Sequence, residues 1–248
     1  MTTVADVVGF LDDLLSIGDF EDLGPNGLQV PADRQVERVV TGVTAQRALI
    51  DRAVAEDAQL VLVHHGLFWR FNPIGLTSVL AERLRPLFKY DIALAGYHLP
   101  LDAHPEVGNN ALLAGALGCA DHVPFGTVGR GGSFAEPLPV TTLIERVAAA
   151  CGGREPLLFD GGPASVRRIA IVSGGAAGEL PRAIAEGYDA FLTGEPKEHV
   201  MADAREAGIH FIAAGHYATE THGIRRIGDL TAQRFGVSHS FVDIPNPV

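Results

Sequence analysis

Two similar three-layer α/β/α lobes with mostly parallel sheets are what this sequence predicts. The first observation is a set of short, unbroken apolar runs alternating with helical patterns. The runs are RVVTGV (38–43), AQLVLVHH (58–65) and IALAGYH (92–98), and their order is that of a parallel sheet with crossover helices. The second is a repeat of that order. RRIAIVSGGAAGELPRAIAEGYDAFLTGEPKEH (167–199) follows the strand, turn, helix, strand and polar cluster of RVVTGVTAQRALIDRAVAEDAQLVLVHHG (38–66). DAREAGIHFIAAGHYATE (203–220) likewise echoes RLRPLFKYDIALAGYHLPLD (83–102). The third is the placing of AGYH (95–98) and AGHY (214–217) at matching points, which favours internal duplication over the general likeness of any two βαβ units. At 248 residues, 47% of them hydrophobic, the chain can bury the core such lobes need.

The elements follow in order. Val4, Val7, Val8, Leu11, Leu14 and Leu15 recur at helical spacing, with Thr3 placed to cap. GDFEDLGPNGLQV is a loop marked by its glycines and Pro25. A strand at 38–43, a helix at 46–57 and a strand at 59–65 come next, then the aromatic loop LFWRFNPIGLT (67–77). A helix over about 77–88, the strand 92–98, the loop LPLDAHPEVGNN and a helix ending at Gly118 complete the first lobe. The Gly- and Pro-rich stretch 119–140 reads as the joint, dividing the chain into lobes 1–125 and 126–248. GGREPLLFDGGPASV (152–166) reads as a hairpin or loop.

Charge narrows the function classes. The chain has 19 Lys+Arg against 30 Asp+Glu, a net of -11, and no basic run, which counts against nucleic acid or an anionic membrane as a main partner. No stretch has the length of a transmembrane helix, and the N-terminal segment lacks the basic start and continuous apolar run of a signal peptide. Cys119 and Cys151 have no metal-type spacing and read as free thiols of a cytoplasmic protein.

The chemistry concentrates at strand ends, where ligands of open α/β sheets bind. His64 and His65 end the second strand before Gly66. Adjacent strand residues point to opposite faces, so the two rings are expected to serve different ions of a close pair. His216 and Glu220 follow the strand IHFIAAG and stand one helical turn apart; taken alone, such a pair is a common surface ion pair. Asp102 follows the strand 92–98, where a lone aspartate is more often a turn or cap residue. His98, in the same turn, is placed to support a ligand. The five residues His64, His65, Asp102, His216 and Glu220 give three imidazoles and two carboxylates, a set suited to Zn, Mn, Fe, Co or Ni and not to Ca or Mg. Two such ions about 3.5–4 Å apart share a bridging carboxylate, here Glu220 or Asp102, activate water and clamp an oxyanion. Glu195 and His199, in TGEPKEH, occupy the place in the second lobe that His64 and His65 hold in the first, and are candidate acid–base groups beside the alternative of a charged turn. Ser173-Gly174-Gly175 is either a tight turn or an anion-binding one. Trp69 and Phe71 are either packed loop residues or a platform for a base. His104, His122, His210, His222 and His239 share no spacing and carry no assignment.

VHHG, HLPLD followed by GNN, SGG before a helix, TGEPKEH and GHYATE, with GPNGLQV near the start, resemble the NIF-three-like dinuclear-metal-centre family of GTP cyclohydrolase I type 2 homologues. The resemblance covers nearly the whole chain in order. It implies intertwined α/β/α lobes, a toroidal homohexamer with its metal sites on an internal cavity, and metal ligands at His64, His65, Asp102, His216 and Glu220. The chain departs from longer relatives in lacking their inserted domain, and it has Leu23-Gly24-Pro25 where many have an aromatic–acidic pair. The activity implied is hydrolytic, on GTP: water attacks guanine C8 and the ring opens with loss of formate. A small-molecule, nucleotide-like substrate is therefore expected. Two rivals stand beside it. A phosphoesterase would share the site and differ in its pocket. A non-catalytic metal-binding or regulatory assembly would close its metal coordination with protein ligands.

Overall fold

The computed structural model describes residues 1–248, and the chain forms two compact units. The first comprises residues 1–101 and 223–244, the second residues 102–222 and 245–248.

The first unit opens with α1 (Val4–Leu15). Thr3 caps it: its hydroxyl accepts from the Asp6 N–H, while the Asp6 carboxylate accepts from the Thr3 N–H at 2.8 Å. This reciprocal box satisfies donors that a helix start leaves over. Thr3→Ala is expected to cost about 1 kcal/mol, read as a lower denaturant midpoint with an unchanged slope. Val4, Val7, Val8, Leu11 and Leu15 form its buried stripe.

β1 (Gly27–Val30), β2 (Arg38–Thr44), α2 (Arg47–Ala55), β3 (Leu60–His65), α3 (Ser78–Lys89) and β4 (Ala93–Gly96) follow. Their sheet has the order β1-β4-β3-β2-β11, where β11 is Ser238–Phe241. All neighbours are parallel except β1 on β4. Val40, Val61, Val63 and Leu94 pack on Leu49, Ile50, Ala53 and Leu87 of α2 and α3. Strand alternation turns Val39, Leu60, Leu62 and Ala93 to the other face, and these too are fully buried. Such two-sided burial is why the parallel strands read as continuous apolar runs. α10 (Thr221–Phe235) returns the chain to this unit, with Phe235 edge-on to Phe10 of α1.

The second unit holds α5 (Asn109–Leu117), β5 (Asp121–Phe125), β6 (Gly129–Pro139), α6 (Val140–Ala150), β7 (Leu157–Phe159), β8 (Ser165–Ile171), α7 (Leu180–Ala185), β9 (Ala190–Thr193), α8 (Val200–Ala207), β10 (His210–Ala213) and α9 (His216–Thr219). α4 (Leu99–Ala103) spans the division between the units. The sheet order is β5-β6-β8-β9-β10-β7. β8, β9 and β10 are parallel, and β5, β6 and β7 are added antiparallel. One face packs on α5 and α6 through Leu113, Leu117, Leu143 and Val147. The other packs on α7 and α8 through Leu180, Ala183, Val200 and Ala204.

The duplication runs further than the sequence repeat. β2-β3-β4 and β8-β9-β10 are equivalent parallel triplets, and in each unit a short strand from upstream, β1 or β7, pairs antiparallel with the third. Three expectations change. The division falls at 101/102 rather than 125/126, because α5 packs against α6, β6 and β8. Residues 119–140 are a hairpin of the second sheet rather than a joint, its glycines admitting neighbours where a side chain would not fit, as Gly131 does the Tyr188 hydroxyl. The second sheet is therefore mixed, with its parallel strands at its centre. Both cysteines are free. Burial pushes the thiols up, Cys119 to about 11 with Asp121 adding to it, and Cys151 to about 12; neither is a nucleophile at neutral pH. No helix is long and apolar enough to cross a membrane.

Candidate metal centre

β3 delivers His64 and His65 at its C-terminal end. Gly66 must follow them, since a Cβ there would collide with the Gln29 amide, which also accepts from the Leu67 N–H at 2.8 Å. His64 is fully buried, and its Nδ1 lies 2.8 Å from the Tyr97 carbonyl. A carbonyl only accepts, so Nδ1 carries the proton and Nε2 the lone pair. His65 Nδ1 lies 3.2 Å from the Thr44 hydroxyl.

The two rings do not diverge as strand alternation predicts. Their centroids are 4.7 Å apart, and His98 stands 5.1 and 5.7 Å from them. One nitrogen from each of the three rings falls within 4.8 Å of the others. Each ring is held by its own Nδ1 partner, the Tyr97 carbonyl for His64 and the Thr44 hydroxyl for His65. His98 is thus one of a histidine trio as well as a supporting residue.

Asp22, which no sequence motif marks, orients His98. Its carboxylate accepts from His98 Nδ1 at 2.7 Å, Asn26 Nδ2 at 3.0 Å and the Leu99 N–H at 2.9 Å. Burial works against its charge, but the His98 and Asn26 hydrogen bonds, the His98 charge and the Leu99 N–H hold the carboxyl well below the usual range. A carboxylate behind an imidazole is the usual outer partner of a metal-binding histidine. Trp69 stands edge-on to His98 and stacks on Phe71, which is 70% exposed rather than packed away.

The second unit supplies carboxylates and one imidazole. Asp102, in α4, is buried and accepts from Asn109 Nδ2 at 2.8 Å and the Ser173 hydroxyl at 3.0 Å. Asn110 ties this together: its amide donates to the Asp102 and Val128 carbonyls, and its oxygen accepts from the Ser173 N–H. The GNN and SGG motifs are therefore the clamp on Asp102. α9 is a single turn begun by Gly215 at φ 96°. It keeps the expected spacing, with His216 Nε2 3.2 Å from Glu220 Oε1. Oxygens of Glu220 and Asp102 lie within 4.8 Å of each other. Glu195 hydrogen-bonds His216 Nδ1, whereas His199 is exposed at the start of α8. Of the unassigned histidines, His210 is held by the Pro163 carbonyl and His239 by Asp229.

Burial disfavours a charge on His216, but Glu220 and then Glu195 outweigh it, and its pKa is pushed up to about 9. Because that value is raised above the unfolded one, the protonated imidazole stabilises the metal-free fold fully below about pH 6.5, and the contribution is lost as pH rises through about 9. The stability difference between metal-free wild type and His216→Gln is expected to shrink from about pH 6 to above 9, measured by chemical unfolding. A ligand role requires that proton to leave, so metal uptake near neutral pH should release it.

His, Asp and Glu side chains are thus gathered in groups that could hold a metal ion, the trio His64, His65 and His98 in the first unit among them. The family model for Duf34/NIF3 (NGG1p interacting factor 3) matches residues 2–247. The "GTP cyclohydrolase 1 type 2 homolog" of Pseudomonas aeruginosa is 48% identical over 95% of both chains, and that of Yersinia pestis 46% over 96% of both. A solved structure described as "Structural genomics, protein ybgI, unknown function" superposes over 100% of both chains with a TM-score of 0.95 and 40% identity. TTHA1606 from Thermus thermophilus does so with a TM-score of 0.93 and 38% identity. The chain belongs to the DUF34/NIF3 family.

Proposed function

We propose that this protein is a metal-dependent hydrolase of a nucleotide-like small molecule, with two divalent transition-metal ions (Zn, Mn, Fe, Co or Ni) held by His64, His65, Asp102, His216 and Glu220. The observation that carries it is how the imidazoles are held. Hydrogen-bond partners on Nδ1 turn the His64 ring through the Tyr97 carbonyl and the His216 ring through Glu195, leaving Nε2 as the ligand atom. The donor set fits such ions: imidazoles, plus the carboxylates Glu220 and Asp102, the latter oriented by Asn109 and Ser173.

Ions so held lower the pKa of water and stabilise an oxyanion. The chain's own residues do the rest. Glu195 holds the proton at His216 Nδ1 and is placed to pass it on. Asp22 fixes His98, which offers a ring nitrogen beside His64 and His65. The exposed Phe71 face, backed by Trp69 at 14° between planes, supports stacking on a heteroaromatic ring. The names of the relatives make GTP the first substrate to try. The reading includes the cytoplasmic homohexamer implied by the motifs, for which light scattering should return six times 26.2 kDa.

The test is metal content by mass spectrometry on protein purified without chelator, followed by product analysis with GTP and simple phosphoesters. About two ions per chain are expected, with formate released from GTP. Phosphate release from the esters would instead indicate a phosphoesterase. Bound metal with no turnover of either would leave a metal-binding assembly. Protein that holds no metal, even after addition of Zn, Mn or Fe, would sink the mechanism.

A further inference from the structure

His98 stands outside the five residues put forward as ligands, yet its ring is oriented as a ligand's would be. Its Nδ1 lies 2.7 Å from the Asp22 carboxylate, and its own N–H donates to Asn26 Oδ1 at 2.7 Å. Asp22 is buried, and Asn26 Nδ2 and the Leu99 N–H fix it in turn. Ring and main chain of His98 are thus both set by one stretch, residues 22–26. Like His64 and His65, these residues belong to the first unit.

The three rings of the trio follow one plan. His64, His65 and His98 each turn Nδ1 to a partner outside the trio: the Tyr97 carbonyl, the Thr44 hydroxyl and the Asp22 carboxylate. A carbonyl or carboxylate on the far nitrogen is how proteins aim an imidazole at a metal. One nitrogen from each ring lies within 4.8 Å of the others. Neutral imidazoles that donate from Nδ1 present lone pairs from Nε2. Lone pairs gathered in this way repel one another, and a cation among them turns the repulsion into attraction. A simple clamp on the loop would explain why Asp22 meets Asn26 and Leu99, but not the aim of the ring. The His98 side chain is 19% exposed, so an imidazole needed only by Asp22 could turn its other nitrogen to water. It stands instead 5.1 and 5.7 Å from the His64 and His65 rings.

We propose that His98 is a sixth protein ligand, completing a three-imidazole site with His64 and His65 for one of the two ions, and that Asp22 is the residue that positions it. The inference rests on the metal reading given under Proposed function and goes beyond it: His64 and His65 share an ion with His98, where strand alternation would have them serve one each.

The test is titration of the full chain, stripped of metal by chelator, with Co(II), followed by visible absorption. Wild type, His98→Ala and Asp22→Asn are compared, with circular dichroism on the same samples. About two Co(II) per chain are expected in wild type. His98→Ala should lose one of them, with a change in the visible bands, and added free imidazole should restore both the ion and the bands. Asp22→Asn should keep both ions and bind one of them about 10–100-fold more weakly, the range for outer partners of metal-bound histidines. A packing role alone would lower the unfolding midpoint and leave stoichiometry and spectrum as they are, and that result in His98→Ala would overturn the proposal. Metal loss that imidazole does not reverse would overturn it as well. If His98→Ala does not fold, Asp22→Asn decides, and wild-type affinity for both ions in that variant would refute the positioning. Wild type that takes up no metal would end the metal reading and this one together, whereas wild type with its ions unaffected by His98→Ala ends this one alone.

Discussion

His64→Ala is expected to remove most of the bound metal while leaving the fold in place. The imidazole is fully buried and its Nδ1 is fixed by the Tyr97 carbonyl. Outer partners of metal-bound histidines are worth roughly 10–100-fold in affinity, so deleting the imidazole itself should cost more. The substitution also leaves a small cavity and a carbonyl without its donor, about 1–3 kcal/mol, which lowers the unfolding midpoint without abolishing folding. Mass spectrometry should show the fall in ions per chain, and circular dichroism an unchanged spectrum. Thr44→Val removes only the hydroxyl beside His65 Nδ1, and its effect should be smaller. Wild-type metal content in His64→Ala would end the assignment of this residue as a ligand.

Gly174→Ala should be as damaging for a different reason. Gly174 has φ 68°, where an L side chain costs about 1–2 kcal/mol. Its Cβ would also run into the Glu220 carboxylate and come within 3.1 Å of His216 Nε2. The backbone cannot yield easily. Its N–H donates to the Thr219 hydroxyl, and its carbonyl accepts from the Thr193 hydroxyl and the Gly194 N–H. Strain and overpacking together predict a loss of roughly 2–4 kcal/mol, seen as a lower thermal midpoint, along with displacement of Glu220 and loss of metal. Gly175→Ala, one residue on, has neither a positive φ nor a close contact, and should leave both quantities near wild type. Equal behaviour of the two variants would refute this account of the turn.

The contrast between these neighbours shows what a sequence discloses. SGG between a strand and a helix announces a turn, but which glycine is indispensable depends on His216 and Glu220, far along the chain. The apolar runs revealed the parallel strands because burial on both faces leaves an unmistakable pattern. β1 and β7 escaped, being four and three residues long and set among glycines and prolines. β5 and β6 escaped because their glycines look like a linker. At the site, strand ends and i,i+4 spacing led to all five candidate ligands. The convergence of His64 and His65 did not follow, since it depends on ring rotations set by the Tyr97 carbonyl and the Thr44 hydroxyl, which lie on other strands or beyond them in sequence. Asp22 had no local signature at all, as its link to His98 crosses 76 positions.

The return of α10 and β11 to the first unit has a consequence for synthesis. β11 pairs with β2, placing Ser238 beside Arg38, so the lobe that starts first is finished last. A nascent chain that has emerged only as far as Thr219 holds a sheet whose β2 edge is bare, open to pairing with another chain. The second unit, continuous but for four residues, needs no such wait. Assembly of this protein is therefore nested rather than serial, the core of the second unit being able to form while the first still awaits α10 and β11.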